Sequence, residues 1–277
     1  MMNVSIIIVN YNTKVLLGQC LESVFEMTRD IAFEVLVVDN ASSDGSEEYI
    51  TSKFADVVWI NSGGNLGFGR ANNLGAEHAK GEYLFLLNSD TILKNNAVKI
   101  FYDYMQSHKD ERIGALGAWL YDDMGGINHS CGVFPTIKSE LSYLLSRLCL
   151  SSKRQNVRVE KDVDFIIGAD LFIPKVLFLD LDGFDDNIFM YYEETDLQLR
   201  VCKEGYIRRI ITEPYIIHLE GGSFEPSEFS IKRYKLSQAS YGYYIKKHFK
   251  GVSRFILSSI MYIVRYVILF RVKIKGS

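Results

Sequence analysis

Apolar runs alternate with amphipathic stretches over the first ninety residues. Residues 4–9 are a continuous, largely β-branched run, which predicts a strand buried on both faces. Behind it, Asn12 or Thr13 is placed to cap a helix whose apolar positions Leu16, Leu17, Cys20, Leu21 and Val24 share one face. Residues 34–39 predict a second strand, and Ser43 and Asp44 are capping types ahead of Glu47, Glu48, Tyr49 and Ile50. A third strand is predicted at 57–60, a helix at 70–80 and a fourth strand at 83–87. This spacing predicts a mostly parallel sheet with right-handed crossovers. Further on, 97–107 predicts a helix, 113–119 and 165–173 predict strands, and 194–204 predicts a helix stopped by Gly205. Residues 120–162, with a Gly pair and the basic, Ser-rich stretch 151–154, are read as loops.

Composition adds limits. The 277 residues are 48% hydrophobic and 23% charged, an ordinary globular balance, and a net charge of −3 leaves no global nucleic-acid footprint. Charge is uneven, however: Lys246, Lys247, Lys250, Arg254, Arg265, Arg271, Lys273 and Lys275 have no acidic residue among them. Such a basic, apolar end points to anionic membrane surfaces. The cysteines Cys20, Cys131, Cys149 and Cys202 form no C-x-x-C pair, so a reduced, cytosolic protein without zinc or redox chemistry is expected. No signal peptide is expected, because the chain runs straight into its first strand.

In parallel α/β sheets ligands sit beyond the carboxyl ends of the strands. The polar residues gather there: Asn10-Tyr-Asn12 after the first strand, 39–45 after the second, 61–67 after the third and Asn88-Ser-Asp90 after the fourth. Asp39 is set to accept hydrogen bonds from a base or ribose, as acidic residues do at this position in dinucleotide folds. The stretch 65–73 offers glycines for close backbone approach, Arg70 for a phosphate and Asn amides for hydrogen bonding. Asp90 is the best candidate ligand for a hard divalent cation, with Asn88 on the same side of an extended segment. A strand-end aspartate that merely caps the next helix is the equal alternative. His218, after an apolar strand and before a Gly pair, is either a metal ligand through neutral imidazole or a structural histidine.

Glu193, Glu194 and Asp196 place three carboxylates within four residues at a helix start. They repel one another unless they face a dipole, a cation or a reacting proton. Glu194 suits the general base on an acceptor hydroxyl, and Asp196 either anchors the helix or binds the acceptor. The competing reading is an acidic first turn that only complements the helix dipole.

Together these stretches resemble the family-2 inverting glycosyltransferases with the GT-A fold, and among them the rhamnosyltransferase-like branch. The matching residues are 5–12, 37–45, 65–73, 86–90, Gly183-Phe-Asp185, Tyr192-Glu-Glu-Thr-Asp196 and 218–223. The resemblance implies an α/β fold: a Rossmann-like, mostly parallel central sheet flanked by helices, with a C-terminal helical tail. It implies Asp39 at the base or ribose, Asp90 and His218 at a Mg²⁺ or Mn²⁺ ion, and Glu194 as catalytic base beside Glu193 and Asp196. Asn10, Asn12, Ser42, Asn65, Gly67, Arg70, Asn73, Asn88 and Ser89 join Asp39 on the nucleotide-sugar, and Gly168 and Asp170 are assigned to the acceptor. Two positions depart from the family pattern. Asn88 takes the first place of the Asp-x-Asp metal motif, and Glu194 stands where the family has aspartate.

The expected reaction moves a sugar from a nucleotide-diphosphate donor, dTDP- or UDP-linked and rhamnose among the candidates, to a saccharide or lipid-linked saccharide in cell-surface polysaccharide synthesis. A nucleotidyltransferase would want a Gly-rich phosphate loop, and 10–14 has no glycine. A glycosidase and a non-catalytic sugar-nucleotide-binding protein are the remaining rivals. The expected division is a catalytic domain over 1–225, with the donor part about 1–118 and the acceptor part about 119–225, and a basic helical tail over 226–277. In the tail, Arg254, Ser258 and Arg265 recur at helical spacing against Phe255, Leu257, Ile260, Ile263, Val264, Val267 and Ile268. An apolar stretch this short does not span a bilayer. It predicts an interfacial helix at the cytoplasmic face of a membrane, or a helix packed on the catalytic domain or a second subunit, with a homodimer left open. No nucleic-acid partner is expected.

Overall fold

The computed structural model describes residues 2–148, 158–219 and 231–275. The basic stretch 151–154 and residues 220–223 of the His218 motif lie outside the described residues. Strand β1 (Val4–Asn10) leads through α1 (Lys14–Met27), β2 (Phe33–Asp39), α2 (Ser46–Lys53), β3 (Val57–Asn61) and α3 (Phe68–His78) to β4 (Tyr83–Asn88). There follow β5 (Thr91–Leu93), α4 (Ala97–Ser107) and β6 (Ile113–Tyr121). The stretch read as loops holds β7 (Cys131–Gly132), α5 (Ile137–Leu148) and β8 (Lys161–Asp162).

The single strand expected at 165–173 is two pieces, β9 (Phe165–Ile166) and β10 (Asp170–Pro174). The break has a physical cause. The buried Gln198 amide takes both backbone groups of Ile166, accepting from its N–H at 2.8 Å and donating to its carbonyl at 2.7 Å. β9 therefore leaves the main sheet and pairs with β7. The chain closes with α6 (Lys175–Asp180), α7 (Glu193–Lys203), β11 (Ile207–His218), α8 (Ile231–His248) and α9 (Gly251–Lys275).

The main sheet runs β3-β2-β1-β4-β10-β6-β11-β5, with β8 on β11. β3, β2, β1 and β4 are mutually parallel, as are β6 and β11, and antiparallel β10 joins the two groups. Alternation along β1 sends Ile6 and Ile8 to one core with Leu17 and Leu21 of α1 and Phe101 of α4. Ile7 faces the other core, with Ala71 of α3, Phe178 of α6 and Leu197 of α7. Both faces are thus covered, which is why these strands read as unbroken apolar runs.

Helices α8 and α9 do not hang free. Tyr241, Tyr244, Ile245, Leu257 and Met261 form a third core against Ile137 of α5 and Tyr192 and Leu199. The apolar stripe expected over 254–270 is therefore split: Leu257, Ile260 and Val264 are buried, while Phe255 and Ile263 are exposed. The side chains of Val267 and Ile268 lie outside the described residues.

Candidate functional site

The parallel register brings three strand ends level: Asn10 pairs with Asp39, and Val9 with Asn88. Asn10 Nδ2 donates to Asp39 Oδ1 at 2.8 Å and to Ser42 Oγ at 3.0 Å. The Ser42 N–H donates to Asp39 Oδ2 at 3.0 Å, so both carboxylate oxygens are held. Thr13 Oγ1 bridges Asn10 Oδ1 at 2.7 Å and Ser89 Oγ at 3.0 Å, tying β1 to the end of β4. Asn12, at φ 55, accepts from the Ser43 N–H at 2.8 Å, and its own N–H donates to Ser42 Oγ at 2.9 Å. The Asp39–Ser42 edge opens into a shallow hollow of about 430 Å³ bounded by Gly45, Ser46 and Glu47.

Beyond β4 the chain bends into β5, whose Thr91 pairs with His218 at the end of β11. That pairing sets His218 Nε2 3.3 Å from Asp90 Oδ1. Nδ1 of His218 is buried with no hydrogen-bond partner among the described residues. His218, Asn88, Gly168, Glu193 and Glu194 line one cleft of about 510 Å³, with Phe68 and Phe165 as apolar walls. Glu193 and Glu194 each keep one buried oxygen without a partner among the described residues. Burial pushes both carboxyls above the ordinary glutamate range, and for Glu193 the neighbouring Glu194 charge adds to it. A raised, unsatisfied carboxylate in a cleft is equipped to take a proton.

Among the described residues no group of three or more His, Cys, Asp or Glu side chains stands close enough to hold a metal by itself. Asp90 and His218 offer one carboxylate and one imidazole, a pair that would fit a divalent cation drawing its other ligands from water and substrate phosphates.

Several expected residues take other places. Asp196 is fully buried and is bound at 2.9 Å by Arg200, at 2.7 Å by Lys247 and at 2.7 Å by His248; it anchors the helix and does not line the cleft. Asp170, expected at the acceptor, is fully buried below it: Oδ2 accepts from the Ala118 N–H at 2.6 Å, and burial raises its carboxyl well above the usual range. Asn73 ties α3 to the 183–186 turn, donating to the Phe184 carbonyl at 2.8 Å and accepting from its N–H at 2.8 Å. Arg70 points to a separate cleft of about 720 Å³ behind the turn, with Asp186, Phe184 and Arg200. Asn65 and Gly67 shape a loop rather than offer side chains: Asn65 Oδ1 accepts from the Gly67 N–H at 3.0 Å, and the Gly67 carbonyl accepts from Asn40 at 3.0 Å.

Sequence reading gave Asn40, His129 and Glu140 no role and Thr13 only a helix-capping one. The buried Asn40 and Thr13 stand in the polar strand-end stretches, which was signal enough. His129 and Glu140 line the cleft from a region without periodicity, and nothing local marks them.

Residues 5–126 match the family model described as glycosyl transferase family 2. The chain is 26% identical over 225 residues to rhamnosyltransferase WbbL of Escherichia coli, covering 78% of this chain and 83% of that protein. It is 25% identical over 203 residues to the N-acetylglucosaminyl-diphospho-decaprenol L-rhamnosyltransferase of Mycobacterium tuberculosis, covering 66% of each. In fold it is similar to the mannosyltransferase PcManGT of Pyrobaculum calidifontis, solved with GDP-Man and Mn²⁺, at a TM-score of 0.61 and 17% identity over 94% of this chain and 69% of that one. With the strand-end architecture above, the chain has the GT-A fold, and its sequence is similar to glycosyl transferase family 2 over residues 5–126, with rhamnosyltransferases among its relatives.

Proposed function

We propose that the chain transfers a sugar from a nucleoside-diphosphate donor to a hydroxyl of a saccharide or lipid-linked saccharide, by single displacement with inversion. The reading is carried by one cleft holding a buried carboxylate pair, Glu193 and Glu194, beside a histidine–aspartate pair, His218 and Asp90. The base and ribose lie at Asp39 and Ser42, and the diphosphate runs past Asn88 toward Asp90. Asp90 and His218 are the residues that would hold a divalent cation, Mg²⁺ or Mn²⁺, which neutralises charge on a departing diphosphate. Glu194 takes the proton of the acceptor hydroxyl as its oxygen bonds to the anomeric carbon, the bond from that carbon to the diphosphate breaks, and the nucleoside diphosphate leaves. Phe68 and Gly168 exclude water from one side of that meeting point.

The two rhamnosyltransferases similar to this chain make dTDP-rhamnose the first donor to try, with UDP-sugars next. The Mn²⁺ in the structurally similar mannosyltransferase supports the cation, and the diphospho-decaprenol in the mycobacterial relative's name supports a lipid-linked acceptor. Among the described residues no helix is long and apolar enough to cross a membrane. Contact with a lipid surface is therefore assigned to the exposed, basic side of α9, at the cytoplasmic face.

The test is thermal shift against dTDP-, UDP- and GDP-sugars with and without Mn²⁺. A ligand at a hundred times its dissociation constant adds about 2.7 kcal/mol, which is readily measured. Stabilisation by one nucleotide class that depends on the cation is expected. No shift with any of them, together with no transfer to a polyprenyl-diphosphate sugar, would overturn the reading.

A further inference from the structure

Helix α8 turns one face toward the turn that carries the carboxylate pair. Ser240 Oγ donates to the Met190 carbonyl at 2.7 Å. Tyr241 stacks on Tyr192, with ring centroids 4.8 Å apart and planes 11° from parallel. Lys247 Nζ and His248 Nε2 each reach Asp196 Oδ1 at 2.7 Å, and Lys247 also binds Asp185 at 2.6 Å. Positions 240, 241, 247 and 248 fall on one side of a helix, about two turns apart.

Between these two holds lie Glu193 and Glu194. Just before them Tyr191 and Tyr192 take φ values of 68° and 69°, a region that bulky side chains rarely enter. Such residues persist only where the surroundings over-determine them. Asp196, two and three residues further on, is fully buried and draws its charge compensation from α7 itself through Arg200 and from α8. A buried carboxylate held by Arg200, Lys247 and the His248 ring has one arrangement that satisfies it, and losing a partner leaves charge stranded.

We propose that Lys247 and His248 are positioning residues for the Glu193–Glu194 turn, so that α8 is a working part of the active site rather than an appended tail. The proposal rests on Glu194 as the base and deepens that reading. It gives the segment beyond 225 a catalytic duty: docking or displacing α8 shifts the base relative to the cleft. Misplacement of a catalytic group by about 1 Å costs on the order of a hundredfold in rate, so a loosened hold reads out in turnover.

The experiment compares Lys247→Met, His248→Leu and Lys247→Arg with wild type, using Lys109→Met as an exposed control for the lost charge. Hydrogen exchange across 190–197 and steady-state kinetics are both measured. Lys247→Met and His248→Leu are expected to speed exchange in 190–197 with the β1 and β4 amides unchanged. They should lower kcat at least about tenfold, on the way to the hundredfold above, while donor KM stays within about twofold. Lys247→Arg, which keeps the charge and the reach, restores most of kcat. Unchanged exchange and kcat in both variants would overturn the proposal, as would a uniform rise in exchange along the whole chain. If wild type transfers no sugar from any donor, the assignment of Glu194 falls, while the exchange comparison still decides whether α8 holds the turn.

Discussion

Nε2 of His218 lies 3.3 Å from Oδ1 of Asp90, and the pairing of β11 with β5 is what brings them together. With Asn88, the last residue of β4, in place of a carboxylate, Asp90 is the sole carboxylate of that loop, so the histidine would carry more of any cation's ligation than a second aspartate would leave it. His218→Ala and Asp90→Asn are each expected to abolish the Mn²⁺-dependent part of the thermal shift. Each should lower kcat/KM by about 10²–10³, the range seen when a group that stabilises developing charge is removed. A Mn²⁺ response that survives in both variants would move the cation elsewhere.

Glu194→Gln keeps the shape of the side chain and removes its ability to take a proton. Turnover is expected to fall by about 10²–10⁴, with donor affinity within about twofold of wild type by calorimetry. Burial raises this carboxyl, and the base must be ionised to act, so activity is lost as pH falls through the raised value. The acid limb of kcat/KM should therefore lie above about 4.3, the ordinary glutamate position. A limb at or below that value would assign the proton to another group.

The strands were legible in the sequence because β1, β2 and β4 are buried on both faces and end on Asn10, Asp39 and Asn88 in register. The roles of individual polar residues were not. Glu194 and Asp196 stand two positions apart, yet one faces the cleft and the other faces Lys247 and His248 of a helix far along the chain. Asp170 and Asn73 look equally polar in sequence, but their partners, Ala118 and Phe184, come from other elements. Helix α5 escaped notice because its pattern is diluted: Leu141 and Leu145 are exposed, and what it contributes to the cleft is a single carboxylate, Glu140.

Asp170 supplies a stability test independent of catalysis. Its folded carboxyl is raised by burial, so it favours the folded state below the unfolded value near 3.9 and costs stability as pH rises toward the raised one. Asp170→Asn keeps the acceptor for the Ala118 N–H and cannot ionise. Its melting temperature should exceed that of wild type by at least about 2 °C at pH 8, the scale of 1 kcal/mol in a chain of this size, and the gap should narrow toward pH 5. A gap independent of pH would mean that the carboxyl is already ionised in the fold at pH 5 and is not raised into this range.

Gly67 is constrained twice. Its φ is +84°, and a Cβ there would sit 2.1 Å from the Phe189 carbonyl oxygen, the same oxygen that accepts from the Phe68 N–H at 3.1 Å. Gly67→Ala must displace that carbonyl or give up the backbone conformation, at a cost of about 1–3 kcal/mol from the backbone alone. Melting should fall by at least about 2 °C, and the hydrogen bond that joins α3 to the loop before α7 should open, raising exchange at Phe68. Wild-type melting with unchanged exchange would show that the 63–67 loop relaxes at no cost.

The outer side of α9 remains to be tested against lipid. Phe255 is 73% exposed and Tyr262 61%, on a helix whose opposite side, Leu257 and Val264, is packed. Aromatic side chains left in water beside Lys250 and Arg254, with no acidic residue in α9, suit the boundary of an anionic bilayer. Phe255→Ser with Tyr262→Ser leaves the packed side intact, so the fold is expected to survive with its melting temperature nearly unchanged. Flotation with vesicles containing phosphatidylglycerol should recover wild type in the lipid fraction and the double variant mostly in the soluble one. Wild-type recovery should also weaken at high salt, because each basic residue near the surface contributes about 1 kcal/mol through a screened attraction. Equal soluble recovery of both proteins would assign these aromatics to a protein partner or a second copy of the chain, and a concentration-dependent change in mass would then identify the copy.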